Sequence, residues 1–182
     1  MKAITLQDLQ KMCVPAVGQV SHIYNHWTAG RYDQLFDDYH LSIKGDGSLW
    51  ASTDDLTEHK NHTYMRNTGA IGVALCACLD AVGCDDLGTY PPTEAQLNTL
   101  AQVNAILCID LGIPLDIQHV MTHAEAADCK DGWYPHEPYG PDSTCERWDL
   151  LVLKEGRPRW SGGDELRGNA RFYAHQWGAM YI

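Results

Sequence analysis

The sequence lacks several features that mark common classes of protein. Its 182 residues contain no run of the roughly 18–20 apolar side chains needed to cross a bilayer. Basic residues are also scarce: 13 Lys and Arg face 24 Asp and Glu, and the net charge is −11. Because an acidic surface repels phosphate groups, we expect neither nucleic-acid binding nor electrostatic attachment to an anionic membrane.

Cysteine is present, but its spacing does not indicate a zinc finger or a disulfide framework. The seven cysteines are an odd number, and no pair is spaced C-x-x-C. Cys76, Cys78 and Cys108 lie in apolar runs, so they are predicted to be small buried side chains. Cys129 and Cys145 flank a polar, aromatic segment and are a candidate disulfide in an oxidising compartment.

The N-terminal segment does not have the composition of an export signal. Within residues 1–17, the polar pairs Gln7-Asp8 and Gln10-Lys11 interrupt any apolar core. We therefore expect synthesis in the cytoplasm without a signal peptide. Hydrophobic residues make up 45% of the chain and charged residues 20%, a balance that predicts one folded globular domain over residues 1–182.

Apolar periodicity and turn residues predict an α/β fold, with a central mixed β-sheet flanked by helices. Thr93 to Gln96 forms a capping-box pattern that opens the clearest helix, and Gly112 with Pro114 ends it. Gly45-Asp46-Gly47 is a hairpin turn. We expect strands over residues 19–27, 39–44, 48–51, 69–76 and 117–122. We expect helices over residues 5–15, 32–38, 93–111 and 164–177. Residues 124–148 are expected to be a long functional loop.

Two histidines stand at the ends of predicted strands. His26 ends the first long strand, and His123 ends the last short one. Strand ends are rigid and present side chains to a shared cleft. Two histidines so placed can share a metal ion, for which zinc is the default with His and carboxylate ligands, or they are unrelated polar residues.

A set of short motifs in fixed order supports the first interpretation. They are His-Trp-Thr-Ala-Gly at 26–30, Tyr-His-Leu-Ser-Ile-Lys-Gly-Asp-Gly-Ser-Leu at 39–49, Asn-Thr-Gly-Ala-Ile-Gly-Val at 67–73, Thr-Glu-Ala-Gln-Leu at 93–97 and Thr-His-Ala-Glu at 122–125. Their order resembles the type-2 N-acetylmuramoyl-L-alanine amidases, a family that includes amidase-type phage endolysins and the peptidoglycan recognition proteins. The similarity covers roughly residues 20–150.

The resemblance implies one zinc ion held by two His and one Cys or Asp. His26 and His123 match the two histidine ligands. In the family the third ligand follows a basic residue by two positions, as in Arg147-Trp148-Asp149, so Asp149 is the expected third ligand.

The sequence departs from the family pattern around this third ligand. The gap after His123 is longer than usual, and Leu150 stands where the family commonly has Pro. Alternative third ligands are Cys145, Cys129, Asp128 and His136.

The resemblance also suggests catalytic residues. Arg147 occupies the place of a Lys that stabilises negative charge on the reacting group; otherwise it is a surface Arg paired with a carboxylate such as Glu146. One branch of the family uses a Glu on the strand after Ile71-Gly72, which is missing here, and the other uses a Tyr that Tyr39 matches. Glu125 is an alternative general base.

Residues before the Ile71-Gly72 strand match positions that line the substrate groove in the family. His62 and Asn67 are therefore expected to bind substrate, although Asn67 would serve equally well as the cap of a turn before Gly69. Aromatic side chains of the predicted loop are a candidate stacking wall for sugar or peptide, or else the loop's own small core. They are Trp133, Tyr134, Tyr139 and Trp148.

The activity implied by the resemblance is hydrolysis of the amide bond between N-acetylmuramic acid and L-alanine in peptidoglycan. We expect a monomeric phage or prophage endolysin that acts on the cell wall after release from the cytoplasm. Two alternatives stay open: a cytoplasmic amidase that recycles soluble muropeptides, and a peptidoglycan-binding protein that has kept the fold and lost the metal.

Overall fold

A computed structural model describes residues 1–133, 140–143, 147–180 and 182. The fold is built on one six-stranded mixed sheet in the order β1-β4-β3-β5-β2-β6. The strands are β1 Lys2–Ile4, β2 His22–Trp27, β3 Leu41–Ile43, β4 Leu49–Ala51, β5 Ala70–Leu75 and β6 Val120–Thr122. The helices are α1 Leu6–Ala16, α2 Glu94–Leu111, α3 His123–Ala127 and α4 Ser161–Gln176.

The sheet is parallel in its interior and antiparallel at one edge. Strand β5 pairs in parallel with β2 and β3, and β2 pairs in parallel with β6. Strands β3 and β4 form the predicted antiparallel hairpin, and β1 pairs with β4. All residues of β5 are buried, which confirms the prediction that the apolar run at 69–76 is an internal strand.

Capping boxes open α1 and α2, and the one that opens α2 was predicted. The Thr5 hydroxyl accepts a hydrogen bond from the amide of Asp8, and the Thr93 hydroxyl accepts one from the amide of Gln96. Helix α2 ends at Gly112, whose φ of 70° is easily adopted only by a residue without a Cβ atom. Helix α2 packs against α1 and α4.

Alternate residues of β2 face opposite sides of the sheet. Asn25 exchanges side-chain hydrogen bonds of 3.2 and 2.8 Å with Asn104 of α2, so this side of β2 faces the helices. Because side chains alternate along a strand, His22, Tyr24 and His26 share the other side. That second face of the sheet carries the polar residues described below.

The segment 32–38, predicted to be a helix, forms turns instead. The carbonyl oxygen of Tyr32 accepts from the amide of Gly45, and that of Asp37 accepts from Lys60 Nζ. Tertiary partners thus take carbonyl groups that a helix would use internally.

The loop expected from residue 124 begins later, because α3 follows β6 without a break. The Thr122 hydroxyl accepts from the Glu125 amide, and the Glu125 carboxylate accepts from the Thr122 amide. This Thr-x-x-Glu pattern is a capping box that sequence reading overlooked. Strand β1 was also missed, since its partner β4 lies far along the chain.

Cys76, Cys78 and Cys108 are buried, as predicted. Cys145 lies outside the described residues, so its disulfide with Cys129 stays a prediction. Among the residues that the structure describes, no helix combines the length and the apolar character that a membrane crossing requires.

Candidate metal site

Parallel pairing of β2 with β6 brings the two predicted histidine ligands together. The register pairs Asn25 of β2 with Thr122, the last residue of β6, so the next residues along the chain, His26 in β2 and His123 at the start of α3, lie side by side at the same edge of the sheet. Their ring centroids are 4.7 Å apart. Neighbouring parallel strands therefore place two imidazoles in one cleft without help from any loop.

Asp149 joins these histidines to form a cluster of three metal-ligating side chains. His26 Nδ1 lies 3.2 Å from His123 Nδ1 and 3.1 Å from Asp149 Oδ2. His123 Nδ1 lies 3.0 Å from Asp149 Oδ1. In tetrahedral zinc sites, bonds of about 2.0–2.1 Å separate the ligand atoms by roughly 3.3 Å, so the donor atoms have suitable spacing.

The chemistry of the donor set also suits a metal ion. All three residues are buried, with His26 fully so. Burial alone raises the pKa of the Asp149 carboxyl, but the neighbouring His123 and His26 outweigh this effect, and the net pKa lies well below its usual range. A buried carboxylate with two imidazoles and no Lys or Arg in the set can bind a metal ion, and zinc prefers such ligands.

Packing and a backbone bond hold Asp149 in place. The preceding Trp148 packs edge-on against Trp27 of β2, with ring centroids 4.6 Å apart. The carbonyl oxygen of Asp149 accepts from the amide of Ala124, next to His123. Leu150 has a φ of 60°, which proline cannot adopt, so the residue that departs from the family pattern fits the backbone found here.

Of the alternative third ligands, those within the described residues lie in other contacts. Asp128 Oδ2 accepts from the amide of Asp142 at 3.0 Å, and Cys129 Sγ lies 3.6 Å from a guanidinium nitrogen of Arg66. Cys145 and His136, like Tyr134 and Tyr139 of the candidate aromatic wall, lie outside the described residues. Among those that are described, His26, His123 and Asp149 form the only such cluster.

A further contact on His26 comes from Thr63, which sequence reasoning missed. Thr63 Oγ1 lies 3.3 Å from His26 Nε2 and 2.9 Å from His62 Nδ1, so one hydroxyl connects the cluster to the next histidine. A hydrogen bond to the outer nitrogen of a ligating imidazole fixes its orientation. No motif marks this Thr, because the contact forms only in the folded chain.

His62 lies against β5 beside the cluster, 5.2 Å from His26 between ring centroids. A Cβ atom at Gly72 would come within 2.7 Å of the His62 ring, so the glycine of the Ile-Gly motif makes room for this histidine. Burial, then His26, lowers the pKa of His62 to about 2, so it stays neutral. Its buried Nε2 has no hydrogen-bond partner within the described residues.

Asn67 both lines the cleft and organises its wall. Its Oδ1 accepts from the amides of His62 and Thr63 at 3.1 and 2.8 Å. Asn67, His62, His123 and the exposed Arg147 line a cavity of about 340 Å³ beside the cluster. The predicted substrate-binding and charge-stabilising residues therefore share one opening.

Tyr39 lies on another side of His26, with ring centroids 5.1 Å apart. Burial, followed by the negative charge of Asp149, raises the pKa of its phenol above the usual range. Tyr39 is therefore a neutral hydroxyl at physiological pH, able to donate one hydrogen bond and accept another.

Glu125, the alternative base, belongs to a different cluster. Its carboxylate oxygens accept from Arg167 Nη1 and Nη2, each at 2.8 Å, and one also accepts from the Thr122 amide at 3.0 Å. A Cβ atom at Gly163 would come within 2.0 Å of this carboxylate, so glycine lets α4 approach it. These contacts disfavour Glu125 as a base and leave Tyr39 as the candidate.

The sequence profile of N-acetylmuramoyl-L-alanine amidases matches residues 16–137, about two thirds of the chain. No curated protein sequence gives a significant match.

Several solved structures are similar to this chain at low sequence identity. An endolysin, the N-acetylmuramoyl-L-alanine amidase LysCS from Clostridium intestinale, is 16% identical over 59% of this chain and 71% of its own, with a TM-score of 0.43. Peptidoglycan recognition protein SA from Apis mellifera is 13% identical over 61% and 74%, with a TM-score of 0.45. Drosophila peptidoglycan recognition protein LB is 14% identical over 66% and 84%, with a TM-score of 0.44.

The family assignment rests on the profile match, which begins before the strand of His26 and includes His123. The chain belongs to the N-acetylmuramoyl-L-alanine amidase family.

Proposed function

We propose that this protein is a zinc-dependent hydrolase that cleaves the amide bond between N-acetylmuramic acid and L-alanine in peptidoglycan. The observation that carries the proposal is the convergence of His26, His123 and Asp149, whose donor atoms lie 3.0–3.2 Å apart. A binding protein has no need to keep a buried carboxylate between two imidazoles. The family supplies the substrate class.

A zinc ion held by these three residues would keep one coordination position for water, lower the pKa of that water to about 7 and polarise the scissile carbonyl. The remaining work falls to residues of the chain. Thr63 keeps the His26 imidazole oriented through its contact with Nε2. Asn67 holds the 62–63 segment that forms one wall of the cleft.

Tyr39 and Arg147 are proposed to manage charge during hydrolysis. A neutral phenol beside His26 can orient the attacking water, accept a proton from it, and donate the phenol's own proton to the leaving nitrogen, so that the neutral phenol is regenerated. Arg147 lines the cavity next to His123, where a permanent cation would stabilise the oxyanion formed from the scissile carbonyl. We assign Glu125 to holding α3, through Arg167, and not to proton transfer.

We further propose that the substrate is the cell-wall polymer, as for an endolysin of a phage or prophage. The cavity beside the cluster is rimmed by the exposed residues Asn61, Tyr64, Met65 and Arg147. An open rim lets a long glycan strand pass over the site, whereas a closed pocket would select small fragments.

The direct test measures the zinc content of the purified protein, together with its activity on purified cell walls and on soluble muropeptides. We expect about one zinc per chain, loss of activity on chelation, recovery with zinc, and release of L-alanine-terminated peptides. Faster cleavage of fragments than of walls would instead indicate a recycling amidase. Binding to peptidoglycan without zinc or cleavage would indicate a recognition protein and contradict the proposal.

A further inference from the structure

A second cavity, of about 600 Å³, lies on the same face of the sheet as the metal cluster. Its lining includes the side chains His22 and Tyr24 of β2, the strand that carries His26. At about 3.3 Å per residue, His22 lies roughly 13 Å along the strand from His26. Met65 borders both this cavity and the one beside the cluster, so the two form neighbouring sections of one surface.

Aromatic rings form much of this second cavity. His22 stacks on Tyr24 with ring centroids 6.1 Å apart, and on His119 with centroids 5.7 Å apart. Trp133 stands at the rim with 49% of its surface exposed, its ring held over the guanidinium of Arg66 at 4.7 Å. The cavity therefore has an aromatic side and an exposed indole that is already ordered by a neighbour.

Among the described residues that line the cavity, the one Arg and His119 each have an acidic partner, Asp131 and Asp116. Arg66 pairs with Asp131 through contacts of 2.6 and 3.1 Å, and both side chains are almost fully buried. Burial, then the neighbouring His119, lowers the pKa of His22, which keeps that ring neutral at physiological pH. Peptide carboxylates would lack a partner here.

Polar groups at the rim suit hydroxyl and acetamido groups. Gln118 is exposed, and its Nε2 donates to the carbonyl of Asp131 at 3.2 Å, which orients the amide and leaves its Oε1 as an acceptor. Thr68 adds an exposed hydroxyl, and Met65 an exposed apolar chain. The aromatic ring faces match the C–H face of an N-acetylated sugar, and the oriented amide of Gln118 matches its hydroxyl groups. The thioether of Met65 matches the methyl group of the acetamido substituent.

We propose that this second cavity is a carbohydrate subsite that binds an uncharged N-acetylamino sugar of the glycan strand, by stacking on Trp133 and hydrogen bonding to Gln118. The proposed amidase function supplies only the identity of the ligand: in peptidoglycan, the muramic acid unit at the metal cluster is joined to further N-acetylated sugars, and one of these would occupy the second cavity. Linked pyranose units repeat at roughly 5 Å, so the roughly 13 Å along β2 corresponds to two or three sugar units. The stem peptide would leave the cluster on the side of Arg147.

The first test is calorimetric titration of the zinc-loaded protein with triacetylchitotriose, a neutral oligomer of N-acetylglucosamine whose only amides are its N-acetyl groups and which lacks the muramoyl–alanine bond. We expect saturable binding that weakens about tenfold or more in Trp133→Ala and Gln118→Ala, and less in Trp133→Phe, which keeps a stacking face. Trp177→Ala, which removes another half-exposed indole, is the matched control and should bind like the wild type. Zinc content and thermal unfolding establish that each variant is folded.

The second test compares cleavage of two soluble substrates that carry the same stem peptide on a single muramic acid or on the terminal muramic acid of a tetrasaccharide. We expect a lower KM for the tetrasaccharide in the wild type, and loss of that preference in Trp133→Ala. Absence of chitotriose binding, displacement of chitotriose by free stem peptide, or an unchanged preference in Trp133→Ala would overturn the subsite. If chitotriose binds at Trp133 while neither substrate is cleaved, the subsite stands and the proposed amidase activity falls.

Discussion

Two buried polar clusters meet helix α3, and they differ in whether they balance their own charge. At its first residue, His123 joins His26 and Asp149, a set with one carboxylate and no permanent cation. Two residues later, Glu125 meets Arg167, which donates to both carboxylate oxygens at 2.8 Å. The second cluster already contains its cation, whereas the first has ligand atoms that could bind a cation from outside.

This comparison shows when a buried carboxylate indicates a functional site. The sequence predicts Asp149 as a metal ligand and offers Glu125 as an alternative general base, and both are buried, at 7% and 5% exposure. Burying a charge is costly unless a partner compensates it. The two carboxylates therefore differ in their partners and not in their burial: Asp149, the candidate metal ligand, contacts two histidines, whereas Glu125 pairs with Arg167.

The largest expected effect is loss of the metal from the first cluster. Asp149→Ala removes the one carboxylate of the proposed His26–His123–Asp149 ligand set, so we expect the zinc content to fall below about a tenth of the wild-type value and cell-wall cleavage to fall by about a thousandfold or more. Elemental analysis and a turbidity assay on cell walls measure the two effects. His175→Ala, which removes an exposed histidine on α4, is the matched control. Zinc lost in Cys145→Ala but kept in Asp149→Ala would identify a different third ligand.

The second cluster should affect stability instead of chemistry. Arg167→Met leaves Glu125 buried without its cation, so we expect the free energy of unfolding to fall by about 3–5 kcal/mol. The double variant Glu125→Gln/Arg167→Met should recover part of this loss, because no uncompensated charge remains. Urea denaturation of the metal-free protein measures both quantities. Simple additivity of the two substitutions would show that the pair is not coupled.

A smaller effect is expected at Tyr39, which borders the first cluster without being one of its metal-ligating residues. Tyr39→Phe keeps the ring packed near His26 and removes only the phenol, so we expect about a 10- to 100-fold lower kcat with unchanged zinc content. Steady-state kinetics on a soluble muropeptide is the measurement. Tyr173→Phe removes a phenol far from the cluster and serves as the control. An unchanged kcat in Tyr39→Phe would remove the phenol from the proposed mechanism.

The smallest effect concerns a buried histidine that belongs to neither cluster. His40 Nδ1 accepts from the amide of Gly72, its Nε2 lies 2.7 Å from the Glu58 carbonyl, and burial lowers its pKa from 6.5. As the pH falls, His40 is therefore protonated in the unfolded chain before it is protonated in the folded protein. Its contribution to the free energy of unfolding is present above about pH 6.5 and is lost as the pH falls towards the pKa of the folded state. We expect the Tm of the metal-free protein to decline on acidification, with a shallower slope in His40→Gln. Equal slopes would contradict this role.

The predictions made from the sequence succeeded where neighbouring residues decide the structure. The capping box at Thr93, the turn at 45–47 and the apolar run of β5 depend on contacts within a few residues, so the local pattern contains the information. The prediction of a helix over 32–38 was wrong, because its carbonyl oxygens accept hydrogen bonds from Gly45 and Lys60, which the local pattern does not include.

The residues of the candidate site likewise differ in whether a local sequence pattern predicts their contacts. Residues at strand ends could be inferred from the sequence, because parallel strands align their ends, and His26 and His123 meet for that reason. Thr63 and Arg167 could not be inferred, since their partners lie 37 and 42 residues away and no pattern records the contact. The capping box at Thr122 was readable and was overlooked.

The sequence by itself determined the α/β class, the capped helices, the hairpin and the two histidines at strand ends, because each follows from propensity and periodicity over short distances. Only the tertiary structure decided that Asp149 completes the cluster while Glu125 pairs with Arg167. Both decisions depend on where a carboxylate ends up after the chain has packed, since the electrostatic cost of burial is compensated by partners far along the chain.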